Sequence, residues 1–97
     1  MLVVKKNKLK KNSSTILIHN DIQIVIINYN NKYYALNNNC PHRGGSLGDG
    51  TCTDGIIVCP LHKWEFNIHN GNCIKNNKIF VKKYIIEEDK ENIKIVL

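Results

Sequence analysis

The sequence predicts an all-β protein, and three observations carry that expectation. Apolar and polar residues alternate with a period of two over most of the chain, no segment sustains a 3.6-residue period, and turn dipeptides such as Asn20-Asp21, Asn30-Asn31 and Asp54-Gly55 punctuate the alternating runs.

In chain order, Leu2 to Lys6 and Ser14 to His19 read as short strands, and Asn20-Asp21 turns the chain into Ile22 to Asn28. Ile22, Ile24 and Ile26 share one face of that strand, while Gln23, Val25 and Ile27 occupy the other, so both faces are expected to be largely buried. Asn30-Asn31 leads into Lys32 to Leu36, because asparagine tolerates positive φ better than most residues. Thr51 to Thr53 and Ile56 to Val58 flank Asp54-Gly55, a strong type I′ hairpin signal. Trp64 to Ile68 forms the next strand and Asn70-Gly71 turns it. Cys73-Ile74 and Ile79 to Val81 follow, and Tyr84 to Glu87 with Ile93 to Leu97 forms a closing hairpin.

Ninety-seven residues suit one domain, 1–97, with a modest core. The longest purely apolar runs are only a few residues, and Met1-Leu2-Val3-Val4 runs into lysines rather than into the apolar core of a signal peptide. A cytoplasmic protein is expected, with no membrane partner. The formal charge is +6, yet Lys5, Lys6, Lys8, Lys10 and Lys11 supply five of it. From Asn12 onward the balance is +1 and Arg43 is the single arginine, which argues against nucleic acid as a partner. A solvated lysine-rich strand and turn is the plain reading, with steering toward an acidic protein as the functional one. The many Asn, Lys and Ile read as compositional bias, so individual asparagines carry little functional weight.

The chemistry concentrates between Cys40 and His62. Cys40-Pro41-His42 and Cys59-Pro60-Leu61-His62 are short loops of nearly the same form, each supplying one thiolate and one imidazole. Ligand type alone leaves mononuclear zinc and a two-iron cluster open. The chain has neither Cys-x-x-Cys nor His-x3-5-His, the usual zinc spacings, whereas a 2Fe-2S cluster with two Cys on one iron and two His on the other needs this supply. A zinc-stabilised binding module using the same four residues is the remote alternative. Cys52 and Cys73 are left over; small buried apolar residues and a disulfide are their two readings.

The segments Cys40-Pro-His-Arg-Gly-Gly-Ser-Leu-Gly-Asp-Gly50 and Cys59-Pro-Leu-His-Lys-Trp-Glu-Phe66, with Asn70-Gly71 beyond, resemble the Rieske 2Fe-2S ferredoxins. Within that family they are most similar to the small subunits of assimilatory NAD(P)H nitrite reductases. The resemblance implies a small antiparallel β-barrel or sandwich with an inserted cluster-binding subdomain at about 37–68. It also implies one Rieske 2Fe-2S cluster, with Cys40 and Cys59 on the inner iron and His42 and His62 on the outer. The implied function is a soluble one-electron carrier between a reductase and a terminal oxidoreductase, without a catalytic site of its own. A ferredoxin component of a Rieske oxygenase system is the alternative role.

The same resemblance assigns residues around the cluster. Gly44 and Gly45 would let backbone N–H groups approach its sulfurs, and Pro41 and Pro60 would stiffen the loops. Trp64 and Phe66 would pack beneath the second loop. Arg43 would face a partner or Asp49, while His19 and His69 lie outside both loops. High-potential relatives carry a disulfide at the positions of Gly45 and Leu61, and Ser and Tyr hydroxyls at those of Trp64 and Phe66. Their absence here implies fewer hydrogen bonds to sulfur and a low-potential cluster.

Overall fold

A computed structural model of the chain describes residues 2–41 and 44–97. Among the described residues, nine strands form two antiparallel sheets. They are β1 (Leu2–Lys5), β2 (Ser13–His19), β3 (Ile22–Tyr29), β4 (Lys32–Asn37), β5 (Thr51–Thr53), β6 (Ile56–Val58), β7 (Glu65–Asn67), β8 (Lys83–Glu88) and β9 (Asn92–Val96). The larger sheet runs in the order β1-β9-β8-β4-β3-β2 and the smaller in the order β5-β6-β7. Two single 3-10 turns, Lys6–Lys8 and Leu47–Asp49, interrupt the strands.

The turn chemistry fixes the hairpins. Asn20 and Asp21 (φ 48° and 66°), Asn30 and Asn31 (51° and 63°) and Asp54 and Gly55 (53° and 77°) all have two consecutive positive φ angles, the type I′ signature that matches strand twist. The β2–β3 register, from Ser13 opposite Asn28 to His19 opposite Ile22, follows from the first of these turns.

β3 holds two cores apart. Val25 and Ile27, with Leu36 of β4, face a core that contains Cys40, Leu47, Ile57, Cys59, Phe66, Ile68 and Cys73. Ile24 and Ile26, with Ala35, face a second core with Leu9, Tyr84, Ile93 and Ile95. Fully burying each Val, Leu, Ile or Phe among them stabilises by about 1.5–3 kcal/mol. Four of them lie in β3, whereas neither edge strand, β1 or β2, buries one completely.

The lysine-rich segment attaches to the second core. Leu9 is buried there and its carbonyl accepts a hydrogen bond from Asn28 Nδ2 at 3.0 Å. Lys6 N–H donates to the Glu91 carbonyl, and its ammonium lies 3.7 Å from Glu88. The lysines between residues 5 and 11 therefore belong to the side of β3 and β4 remote from Cys40 and Cys59.

The expected strands at 73–74 and 79–81 are replaced by isolated bridges, Phe66 to Cys73 and Asn72 to Phe80. Side-chain oxygens of Asn67, Asn70 and Asn76 accept from the backbone N–H two residues ahead, at His69, Asn72 and Lys78. These local bonds curl the backbone into turns and compete with ladder formation. Lys6, expected at the end of the first strand, instead opens a 3-10 turn.

Candidate metal centre

The two loops of interest are closed in the same way. Cys40 N–H donates to the Gly45 carbonyl, and Cys59 N–H donates to the Trp64 carbonyl, each at 2.8 Å and each spanning five residues. The second loop turns through two consecutive left-handed residues, His62 (φ 63°) and Lys63 (60°); in the first, Gly44 (70°) holds the position equivalent to Lys63. Both cysteines end up buried, at 2% and 0% exposure, while His62 is exposed.

Gly45 brings the loops together. A Cβ on Gly45 would lie 2.6 Å from Cys59 Sγ and 3.3 Å from the Leu61 side chain. Since Gly45 also accepts the Cys40 N–H, one residue links both cysteines. Gly44 works differently: its N–H donates to the Cys40 carbonyl at 2.8 Å, so it serves the turn rather than a sulfur, and its required property is its positive φ.

Among the described residues, no three His, Cys, Asp or Glu side chains gather as a ready-made metal site. His42 and Arg43, expected as a ligand and as a partner or Asp49 contact, lie outside the described residues. Of the other expected positions, Cys40 and Cys59 share one core, and His62 stands on the exposed rim of the same loop as Cys59.

The remaining cysteines are separate. Cys52 lies opposite Ile57, Ile57 opposite Phe66, and Phe66 opposite Cys73. Three inter-strand steps of about 4.8 Å put Cys52 and Cys73 roughly 14 Å apart, twice the reach of a disulfide. Cys52 and Cys73 are both free thiols. Cys73 is buried in the first core, and burial raises the pKa of the half-buried Cys52 thiol. Phe66 is fully buried and Trp64 packs against the same core, as expected. His69 stacks edge-on to Tyr34 at 5.0 Å, and His19 contacts Asn20.

Sequence reasoning missed Asn38. Two residues before Cys40 and fully buried, it donates from Nδ2 to Gln23 Oε1 (3.0 Å) and Ser46 Oγ (2.9 Å), and accepts the Gly48 N–H at Oδ1 (2.6 Å). Its backbone N–H donates to the Gln23 carbonyl and its carbonyl accepts the Leu47 N–H. One amide thus ties β3 to both flanks of the first loop. Nothing in the local sequence separates it from the asparagines around it.

A small all-β scaffold with paired Cys-Pro-His and Cys-Pro-x-His loops defines an electron-transfer domain of the iron–sulfur class. The chain belongs to the Rieske family: the model of the Rieske [2Fe-2S] domain matches residues 1–84. The cofactor is accordingly a Rieske-type 2Fe-2S cluster, and two buried thiols beside a Cβ-free Gly45 suit it. The ferredoxin component of the alkene monooxygenase system of Xanthobacter autotrophicus is 25% identical over 63 residues, covering 64% of this chain. The match spans only about half, 52%, of that relative's length.

Solved structures share the fold. The ferredoxin of carbazole 1,9a-dioxygenase from Nocardioides aromaticivorans has a TM-score of 0.87 at 23% identity, over 96% of this chain and 92% of that one. A Mycobacterium tuberculosis protein assigned as the small subunit of an NADH-dependent nitrite reductase has a TM-score of 0.84 at 16% identity, over 97% and 93%. No helix among the described residues is long and apolar enough to cross a membrane.

Proposed function

We propose that the chain is a low-potential one-electron carrier in which Cys40 and Cys59 hold the inner iron and His42 and His62 the outer iron. The observation that carries this reading is the pairing of two identically closed loops, which bury both thiols in one core and leave His62 exposed. When bound, the cluster supplies a one-electron couple whose electron resides on the imidazole-ligated iron. The buried cysteines keep water from the inner side, and exposed His62 makes the outer side the route to a partner.

The carrier would link a reductase to a terminal oxidoreductase in the cytoplasm, in the role of a nitrite reductase small subunit. The motif Cys-Pro-His-Arg-Gly-Gly with Cys-Pro-Leu-His-x-Trp-x-Phe supports that role. A second role, the ferredoxin of an oxygenase system, is favoured by the likeness to the alkene monooxygenase and carbazole dioxygenase ferredoxins. The test is to supply the reduced protein to a sirohaem nitrite reductase and, separately, to a Rieske oxygenase depleted of its ferredoxin. Faster nitrite reduction supports the first role and restored oxygenation the second. A protein purified with zinc, and no iron or sulfide, would overturn both.

A further inference from the structure

Beside His62 lies a groove of about 250 Å³. Its floor is apolar: Cys73 is buried, and Trp64 and Ile79 are half-buried against the same core. The rim is cationic, since Lys63 and Lys75 are both exposed. Glu65, half-buried, is the acid among the described lining residues. The volume falls below the roughly 300–1,000 Å³ of small-molecule sites and suits a single inserted side chain.

From this arrangement we infer that the groove receives one apolar side chain of an acidic redox partner, with flanking carboxylates resting on Lys63 and Lys75. The inference rests on the reading of His62 as an outer-iron ligand, since that makes this rim the place where an electron leaves. Glu65 repels a carboxylate from the floor, so the charged groups of the partner stay at the lysines and the apolar group enters. Such complementarity sets encounter rate and orientation more than affinity. The stronger lysine concentration at residues 5–11 does not serve this purpose: it is attached to the second core, on the other side of β3 and β4. An acidic surface held there would lie against the second core and not against the one that holds the thiols.

The separation provides the control. The oxidised holoprotein is titrated with an acetylated Glu-Asp-Phe-Asp-Glu peptide while amide and indole resonances are followed by NMR. The expected result is saturable shifts at the Trp64 indole and at Lys75, with a dissociation constant raised about tenfold by Lys63→Glu combined with Lys75→Glu. Lys10→Glu combined with Lys11→Glu changes the net charge equally and should alter it less than twofold. Equal weakening by the two pairs, or shifts confined to residues 5–11, overturns the groove, as does a peptide with alanine for phenylalanine that binds equally well. Iron content and the visible spectrum of each sample are read first. A colourless, iron-free wild type would instead defeat the cluster assignment itself.

Discussion

The backbone of Gly45 packs against the thiol of Cys59 so closely that a Cβ on residue 45 would lie 2.6 Å from Cys59 Sγ. The two loops are therefore held at a separation that admits hydrogen and nothing larger. Gly45→Ala should force them apart and cut iron and sulfide per chain by more than half. Gly44→Ala meets no neighbour within 4 Å and suffers only from its positive φ. It should keep its cluster and lose about 1 kcal/mol of stability. Cluster content of the two purified variants separates these effects.

Ligand identity makes a second prediction. Cys40→Ser, His42→Ala, Cys59→Ser and His62→Ala should each abolish or severely reduce the visible absorbance, while Cys52→Ser and Cys73→Ser should retain it. Thiol reductants should not shorten the life of the oxidised cluster, because the free cysteines are too far apart to bridge. Full retention of iron in the His62 variant would refute the assignment.

Asn38 should be the most sensitive position outside the loops. Asn38→Leu strands the Gly48 N–H and removes the shared partner of Gln23 and Ser46. An unpaired buried polar group costs about 1–3 kcal/mol, so a urea midpoint lowered by the equivalent of about 3 kcal/mol is expected. Asn38→Asp keeps the acceptor for Gly48 but loses both donated bonds, and should also be destabilised.

The turn between β8 and β9 carries a pH signature. Asp89 Oδ1 accepts from Asn92 N–H at 2.8 Å and Glu91 N–H at 2.9 Å, and these bonds hold its carboxyl below the ordinary carboxylate range. A depressed folded pKa means that its stabilisation is present above the unfolded value, roughly 3.9, and is lost as pH falls through the folded value. Asp89→Asn, which keeps an acceptor oxygen without the charge, should flatten that part of the acid-unfolding curve. An unchanged curve would show that the carboxylate contributes nothing measurable.

The reduction potential should lie toward the low end of the roughly −150 to +300 mV spanned by Rieske centres. Phe66 is buried and, like Trp64, carries no hydroxyl that could donate to a cluster sulfur. A redox titration near the upper end would mean that other donors supply the missing hydrogen bonds.

By itself the sequence determined most of the strands, the hairpin turns and the chemistry-bearing loops, because each depends on local properties. Paired Asn or Asp-Gly residues accept positive φ, alternation marks the buried face, and Cys-Pro-His with Cys-Pro-Leu-His delivers thiolates and imidazoles together. Only the tertiary structure decided what those elements do to one another. The Asn38 amide reaches Gln23, Ser46 and Gly48, partners 8 to 15 positions away, so its importance is invisible beside asparagines that merely cap turns. The segment after Asn70 pairs through isolated bridges, with the N–H groups of Asn72 and Lys78 held by the side-chain oxygens of Asn70 and Asn76. Cys52 and Cys73 sit at opposite ends of one cross-strand row, and the lysines of residues 5–11 fall behind β3, because both outcomes depend on strand order. Periodicity shows that a strand has two faces; which core each face meets is settled when the chain packs.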